Sequence, residues 1–466
     1  MSEPTIHFGT DGWRGIIADT FTFENVRKVA LVAAEVLAET YTGVGVVVGY
    51  DRRFLSPEFA QVVERAVQSL GIPVILADRP APTPAFSWAV KERGALGALV
   101  VTASHNPANY SGLKIKGAFG GSVSPEFTRL VEERLEADRL PDVSKESRLD
   151  LFNPWTGYLN QLRTRVDIAA LRAADLAIFI DVMHGVGAEG LAALLGKPVH
   201  ELRSSHDPFF GGNSPEPVAR NLAPLFKAIR TYTGSRPIVG LALDGDADRI
   251  AGADGGGNFL SCQVLIPLLV DHLARRRGLT GKVVKTISGS DLISRVAYAR
   301  GLAVEETAIG FKYIADVIQR EPVLLGGEES GGIGFLGHIP ERDGLLSALY
   351  LLEIVAQTGK DLSELYYDLQ QEVGFKSFYD RRDLTLKDGF RQKLLADLQN
   401  APPDKIAGQP VTEHTTIDGH KFRLADGRWL IIRFSGTEPL LRLYCEAQSQ
   451  AQVQQMLAWA QDWATG

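Results

Sequence analysis

Cysteine is scarce in this chain, with two among 466 residues. Cys262 and Cys445 both lie in apolar-rich segments and read as reduced packing residues of a cytosolic protein. No apolar run approaches membrane-spanning length, and the start Met1-Ser2-Glu3-Pro4 lacks the charged and apolar regions of a signal peptide. The expected location is the cytoplasm, with no membrane partner. Basic blocks are missing apart from Arg275-Arg276-Arg277, and with a net charge of −7 this argues against a nucleic-acid-binding surface. That triplet reads as the solvated end of a helix, where cations suit the dipole. The pattern Gly-x-Ser-x-Gly occurs nowhere, which argues against a serine hydrolase of the nucleophile-elbow type.

What is present is globular in character. Hydrophobic residues make up 45% and charged residues 23%, as in soluble globular proteins, and the chain is too long for a single core. Strand-like runs alternate with amphipathic helices, which indicates α/β architecture. Val46-Val47-Val48 between Gly45 and Gly49 reads as a strand, and Ser56-Pro57-Glu58 opens a helix through Val62, Val63 and Ala66. Ala177-Ile178-Phe179-Ile180 before Asp181, and Leu241-Ala242-Leu243 before Asp244, repeat one theme: a strand ending in a carboxylate. The polar stretch from Ala137 to Lys145 suits a linker, and the turn Asp254-Gly255-Gly256-Gly257-Asn258 suits a hairpin at the start of a third domain. Character changes again near Gln370 to Gly374; beyond it Asp383-Leu384-Thr385 and Arg428 to Phe434 read as strands, and Gln450 to Ala464 as a closing helix. The expected domains are 1–145, 146–252, 253–370 and 371–466.

Four polar clusters follow strand-like runs, and α/β proteins place their ligands at the carboxyl ends of strands. In Thr102-Ala103-Ser104-His105-Asn106-Pro107, after Ala98-Leu99-Val100-Val101, a hydroxyl nucleophile sits on a loop that Pro107 keeps open. Alone, the stretch also reads as an ordinary Ser/Asn/Pro turn. In Asp244-Gly245-Asp246-Ala247-Asp248-Arg249, three alternate carboxylates suit one hard cation such as Mg²⁺, with Gly245 and Ala247 leaving room for the bend. Without a cation they would repel one another. A helix-flanked calcium loop does not fit, because the twelfth position is Gly255 rather than Glu. The third cluster is Gly326-Gly327-Glu328-Glu329-Ser330-Gly331-Gly332, whose carboxylates and hydroxyl on a glycine-rich loop suit the neighbouring hydroxyls of a sugar. Gly332-Ile333-Gly334-Phe335-Leu336-Gly337 matches GxGxxG, but His338-Ile339-Pro340 follows in place of a helix start, so no dinucleotide site is expected. The fourth, Arg433-Phe434-Ser435-Gly436-Thr437-Glu438-Pro439, offers a guanidinium, two hydroxyls and a glycine turn: a phosphate cradle, or equally a hairpin turn.

Together with Phe8-Gly9-Thr10-Asp11-Gly12-Trp13-Arg14-Gly15, these clusters resemble the α-D-phosphohexomutase family (phosphoglucomutase/phosphomannomutase), and its phosphoglucomutase-like branch in particular. The resemblance covers the whole chain, in family order. It implies four domains: three topologically similar α/β domains with mixed sheets, then a smaller C-terminal α+β domain, with the active site in the central cleft. It implies an isomerase that interconverts hexose 1-phosphate and hexose 6-phosphate, glucose foremost. The route would be a phosphoserine enzyme and a 1,6-bisphosphate that turns end over end.

Residue by residue, the resemblance implies that Ser104 carries the phosphoryl group, with Mg²⁺ held by Asp244, Asp246, Asp248 and, through its phosphate, Ser104. Arg14, Arg249 and Lys114 would line the transferring phosphate, and His105 would hydrogen-bond beside the nucleophile. Glu328 and Ser330 would hold the sugar, with Lys312 a further ligand position, while Arg433, Ser435, Gly436 and Thr437 would hold the phosphate that is not being transferred. Small-molecule sugar phosphates are the implied partners, and glucose 1,6-bisphosphate the implied activator and intermediate. Glu329 is similar to the glucose-preferring branches; members that also handle mannose commonly carry Met there and His in place of Gly332, and phosphoglucosamine members carry Gln at 329. Phosphomannomutase, phosphoglucosamine mutase and glucose-1,6-bisphosphate synthase are the alternatives, the last differing mainly in its phosphoryl donor. Oligomeric state is not legible.

Overall fold

The computed structural model describes residues 6–143, 146–385, 390–435 and 440–465. Three sheets share one plan, in which a parallel strand turns back into an antiparallel partner. In the first, Val46–Tyr50 pairs in parallel with Val74–Ala77 and with Gly97–Val101, and Gly97–Val101 returns antiparallel as Tyr110–Gly117. In the second, Ala177–Asp181 pairs in parallel with His200–Leu202 and Ile238–Leu243, and the latter returns as Ile250–Ala253. In the third, Lys282–Thr286 pairs in parallel with Val304–Thr307 and Val323–Gly327, and the latter returns as Ile333–Phe335. The three return loops therefore occupy one equivalent place, and they carry the Ser, Asp and Glu clusters. The strand-then-carboxylate theme in the sequence is a trace of this repeat. Central strands such as Val46–Tyr50 and Gly97–Val101 are buried along their length, which is why they read as unbroken apolar runs.

Two pairings depart from expectation. The turn Asp254–Asn258 does form a hairpin, but Phe259–Leu260 adds to Ile250–Ala253 and so completes the second sheet instead of opening a third domain. The Asp254 carboxylate closes that turn by accepting the N–H groups of Gly256 and Asn258. Beyond residue 145, Leu149–Phe152 joins the far edge of the first sheet, parallel to Val74–Ala77. The basic triplet does end a helical stretch, yet Arg277 reaches back to Glu353 at 2.8 Å. Cys262 and Cys445 are free and buried.

The fourth sheet is antiparallel, in the order Phe378–Thr385, Leu440–Ala447, Trp429–Phe434, His420–Leu424, Gln409–Thr415 and Lys405–Ile406. The helices Phe390–Asn400 and Gln450–Thr465 bury Leu394, Leu398, Met456 and Leu457 in the same core as this sheet. That core is separate from the main one, which runs from Trp13 to Phe375 through all three repeats. The two bodies meet through a small apolar cluster, Ile287 and Ile309 of the third repeat against Trp429, Ile431 and Tyr444 of the fourth sheet, and through buried polar contacts. Glu446 accepts hydrogen bonds from the Asp291 N–H at 2.8 Å, from Trp429 Nε1 at 2.7 Å and from the Ser290 and Ser377 hydroxyls. Lys421 donates to the Ile287 carbonyl at 2.8 Å, and Arg423 to Asp291 at 2.6 Å. Among the described residues no helix is long and apolar enough to cross a membrane.

Candidate active site

Ser104 lies three residues beyond the strand Gly97–Val101 and is almost fully buried. It is held at φ +51°, a left-handed conformation unusual for serine, and its N–H donates to Thr102 Oγ1 at 2.9 Å. Its Oγ donates to Asp244 Oδ2 at 2.7 Å and lies 3.2 Å from His105 Nδ1. The Asp loop reaches it only because Gly245 has no side chain: a Cβ there would stand 2.5 Å from the Ser104 carbonyl oxygen.

Asp244, Asp246 and Asp248 are buried and offer oxygens that all lie within 4.8 Å of one another. Burial, then repulsion from Asp246 and Asp248, pushes the Asp244 carboxyl well above its ordinary value. Two buried cations answer the repulsion. Lys114 Nζ lies 2.8 Å from Asp246, 2.8 Å from Asp248 and 2.7 Å from Asp11. Burial disfavours that charge, but the three carboxylates outweigh it and hold the ammonium above its ordinary range. Arg342 lies 2.6 Å from Asp248 and 3.7 Å from Glu328, and also pairs with Asp11. Asp246 Oδ1 and Asp248 Oδ1 are left buried with no hydrogen-bond partner. Orphaned carboxylate oxygens inside a protein call for a ligand, and with Asp244 they form an all-oxygen donor set that fits Mg²⁺.

The remaining loops converge here. Arg14, from the edge strand Trp13–Ile16, donates to Asn106 in the Ser loop. The Asp and Glu loops are stitched together by the bridge Arg249–Gly332 and by the Ile250 N–H on the Gly331 carbonyl at 3.0 Å. Burial and the nearby charges of Arg249, Arg14, Lys114 and Arg342 hold His105 far below its ordinary value, so its ring is neutral. Glu328 is buried, which pushes its carboxyl up to about 7 although Arg342 opposes the shift. The adjacent carboxylate faces elsewhere: Glu329 accepts from Ser288 Oγ at 2.6 Å and is felt electrostatically at Arg433. Ser330, beside them, is half-buried.

Arg433 stands on the fourth sheet, its Nε 2.8 Å from Asp418 Oδ1, and the other oxygen of Asp418 accepts the Ile309 N–H at 3.0 Å. Ser435 beside it is buried, and Gly436 and Thr437 lie outside the described residues. Lys312 lines a small cavity with Phe8, Thr10 and Asp11, and its ammonium lies 5.3 Å from the Tyr313 ring centre. Sequence alone gives no role to Arg342, Asp11 or Asp418; Asp11 lies inside the motif Phe8 to Gly15, and the one sequence signal for Arg342 is its place in a charged triplet directly before the helix Gly344–Thr358.

Family models described as phosphoglucomutase/phosphomannomutase α/β/α domains I, II and III match residues 5–142, 156–257 and 263–373, and that of the C-terminal domain matches 386–459. A phosphoglucomutase/phosphomannomutase of Thermococcus kodakarensis is 31% identical over 462 residues, covering 97% of this chain and 96% of its own. A phosphoglucosamine/phosphogalactosamine mutase of Sulfurisphaera tokodaii is 28% identical over 464 residues, with 95% of each chain covered. A crystal structure from Thermus thermophilus, described provisionally as a phosphomannomutase, matches with a TM-score of 0.87 at 33% identity over 100% of both chains. With four matched domains in order, the chain belongs to the phosphoglucomutase/phosphomannomutase family and is a phosphohexomutase, an isomerase of hexose phosphates.

Proposed function

We propose that this hexose phosphate mutase prefers glucose phosphates and works through Ser104 as phosphoryl carrier, with glucose 1,6-bisphosphate as activator and intermediate. The observation that carries the reading is the Ser104 Oγ on Asp244 at 2.7 Å, inside a cluster of three aspartates threaded by Lys114. In the first half-reaction the bond from phosphorus to Ser104 Oγ breaks as a bond from that phosphorus to the free sugar O6 or O1 forms; after the bisphosphate turns over, the bond from the other phosphorus to its sugar oxygen breaks as a bond to Ser104 Oγ forms, the proton of the attacking hydroxyl in each case ending on the oxygen that leaves. Such a transfer needs positioning and charge neutralisation more than covalent invention. Lys114, Arg14 and Arg249 supply fixed positive charge, and neutral His105 shares a hydrogen bond at the Oγ. The family is Mg²⁺-dependent, and Mg²⁺ held by Asp244, Asp246 and Asp248 would withdraw further charge from the phosphoryl oxygens.

The far phosphate is assigned to Arg433, Ser435, Gly436 and Thr437, and the sugar between the two sites to Glu328, Ser330 and Lys312. The four domains are taken as 1–145, 146–252, 253–370 and 371–466, with the first sheet drawing in Leu149–Phe152 and the second running on to Leu260. Glu at 329 supports glucose. Assays of glucose, mannose and glucosamine 1-phosphates side by side, with catalytic bisphosphate and with or without an acyl-phosphate donor, test the reading. Glucose 1-phosphate should give the highest kcat/KM without the donor. Faster turnover of either other sugar reassigns the substrate, and bisphosphate that accumulates only with the donor, with negligible isomerisation, makes the protein a synthase.

A further inference from the structure

Arg53 sits on the turn after the strand Val46–Tyr50, outside all four loops, and its side chain is fully buried. Its guanidinium is spent on the backbone of one segment. Nη2 donates to the carbonyls of Ser104 at 2.6 Å and Asn106 at 2.7 Å, and Nη1 to those of Pro107 at 2.8 Å and Tyr110 at 3.0 Å. Asp51, 3.2 Å from Nε, balances the charge and also accepts the Arg53 N–H and the Ser56 hydroxyl. The opposite face of the guanidinium lies 4.8 Å from the ring centre of Phe210, a residue of the second repeat that is itself buried.

This arrangement does what helix or sheet pairing cannot. Residues 102–109 are an irregular return loop, so most of their carbonyls have no ladder partner, and buried carbonyls must be satisfied. A planar fork with five N–H groups can gather several at once, whereas an ammonium is a point donor. The fork also opposes relaxation of Ser104 out of its left-handed conformation, because the carbonyl of Ser104 is itself one of the four acceptors.

We propose that Arg53 is a positioning residue for phosphoryl transfer, clamping the Ser104 loop so that the Oγ stays aimed at Asp244, with Phe210 holding the clamp from the neighbouring repeat. The proposal rests on the reading of Ser104 as phosphoryl carrier. Arg53 touches no substrate. Its loss therefore acts on the reacting geometry, while Arg433 and Glu328, which face the substrate elsewhere, keep their contacts.

The test is Arg53→Lys in the full-length enzyme with Mg²⁺, catalytic bisphosphate and the hexose 1-phosphate that the wild type turns over fastest. At a temperature where melting curves show the variant folded, kcat should fall on the order of a hundredfold, the scale of a small misplacement of reacting groups, with KM within about twofold. A wild-type kcat, or a loss that only tracks the unfolded fraction, overturns the proposal. If Arg53→Lys does not fold, Phe210→Leu decides: it removes the ring face and leaves the guanidinium, and kcat should fall roughly three- to tenfold at unchanged KM. Wild-type kcat in that folded variant overturns the proposal equally. Ser104→Ala separates the two failures. Full activity there removes the phosphoserine reading itself, whereas an inactive Ser104→Ala beside a fully active Arg53→Lys removes only the role of Arg53.

Discussion

The hydroxyl of Ser104 and the carboxylate of Asp244 meet in a 2.7 Å hydrogen bond across 140 residues of chain, joining the return loops of two different sheets. The proposed nucleophile and the proposed cation site are thus a single construction.

Ser104→Ala should abolish nearly all turnover while leaving a folded protein, because the alanine keeps the backbone contacts to Thr102 and Arg53. Wild-type protein should carry sub-stoichiometric phosphate that peptide mapping assigns to Ser104. Phosphate found elsewhere, or an active alanine variant, contradicts the mechanism.

Asp246→Asn preserves shape but removes one charge from the donor set and from Lys114. The Mg²⁺ concentration for half-maximal activity should rise at least about tenfold, and kcat should fall with it. Metal titration of activity reads both, and indifference to chelators and to this substitution would reassign the loop.

If Arg433 grips the far phosphate as proposed, Arg433→Ala removes a charge-assisted contact, which costs about 1.5–3 kcal/mol, or roughly ten- to a hundredfold in kcat/KM. Phosphorylation of Ser104 should survive, since Arg433 belongs to another sheet. Unchanged kinetics would place the far phosphate elsewhere.

Glu328 gives a pH signature. Its carboxyl is pushed up to about 7 by burial, from an ordinary 4.5, so the folded state holds the proton more tightly than the unfolded chain. Its contribution to stability is full below pH 4.5 and is lost as pH rises through about 7. Glu328→Gln cannot ionise. In chelator and without substrate, its stability relative to wild type should climb between about pH 5 and about pH 8, by on the order of 1–3 kcal/mol. Melts that show a constant offset across that range would contradict the assignment.

The loops were legible because each combines a β-branched apolar run with an abrupt polar cluster, and the plan that places them was visible only as the carboxylates of Asp181 and Asp244 at strand ends. What sequence could not give is the set of charges that meet only in three dimensions. Repulsion among the three aspartates follows from their spacing, but the cations that oppose it do not, since Lys114 and Arg342 lie 132 and 94 residues away from their partners Asp246 and Asp248. Arg53 was invisible for a related reason: its partners are backbone carbonyls, which no residue type announces. The chemistry of Asp254–Asn258 specifies a hairpin turn, but only strand register specifies its neighbours, and these belong to the second sheet rather than to the start of a third domain.

Arg433 rides on a body with its own apolar core, and what joins that body to the rest is one small cluster, Ile287 and Ile309 against Trp429, Ile431 and Tyr444, set among hydrogen-bonded charges around Glu446, Lys421 and Arg423. If Arg433 grips the far phosphate as proposed, the distance from it to Ser104 is fixed across this seam rather than inside either core, so substitutions at Glu446 or Lys421 bear on that spacing.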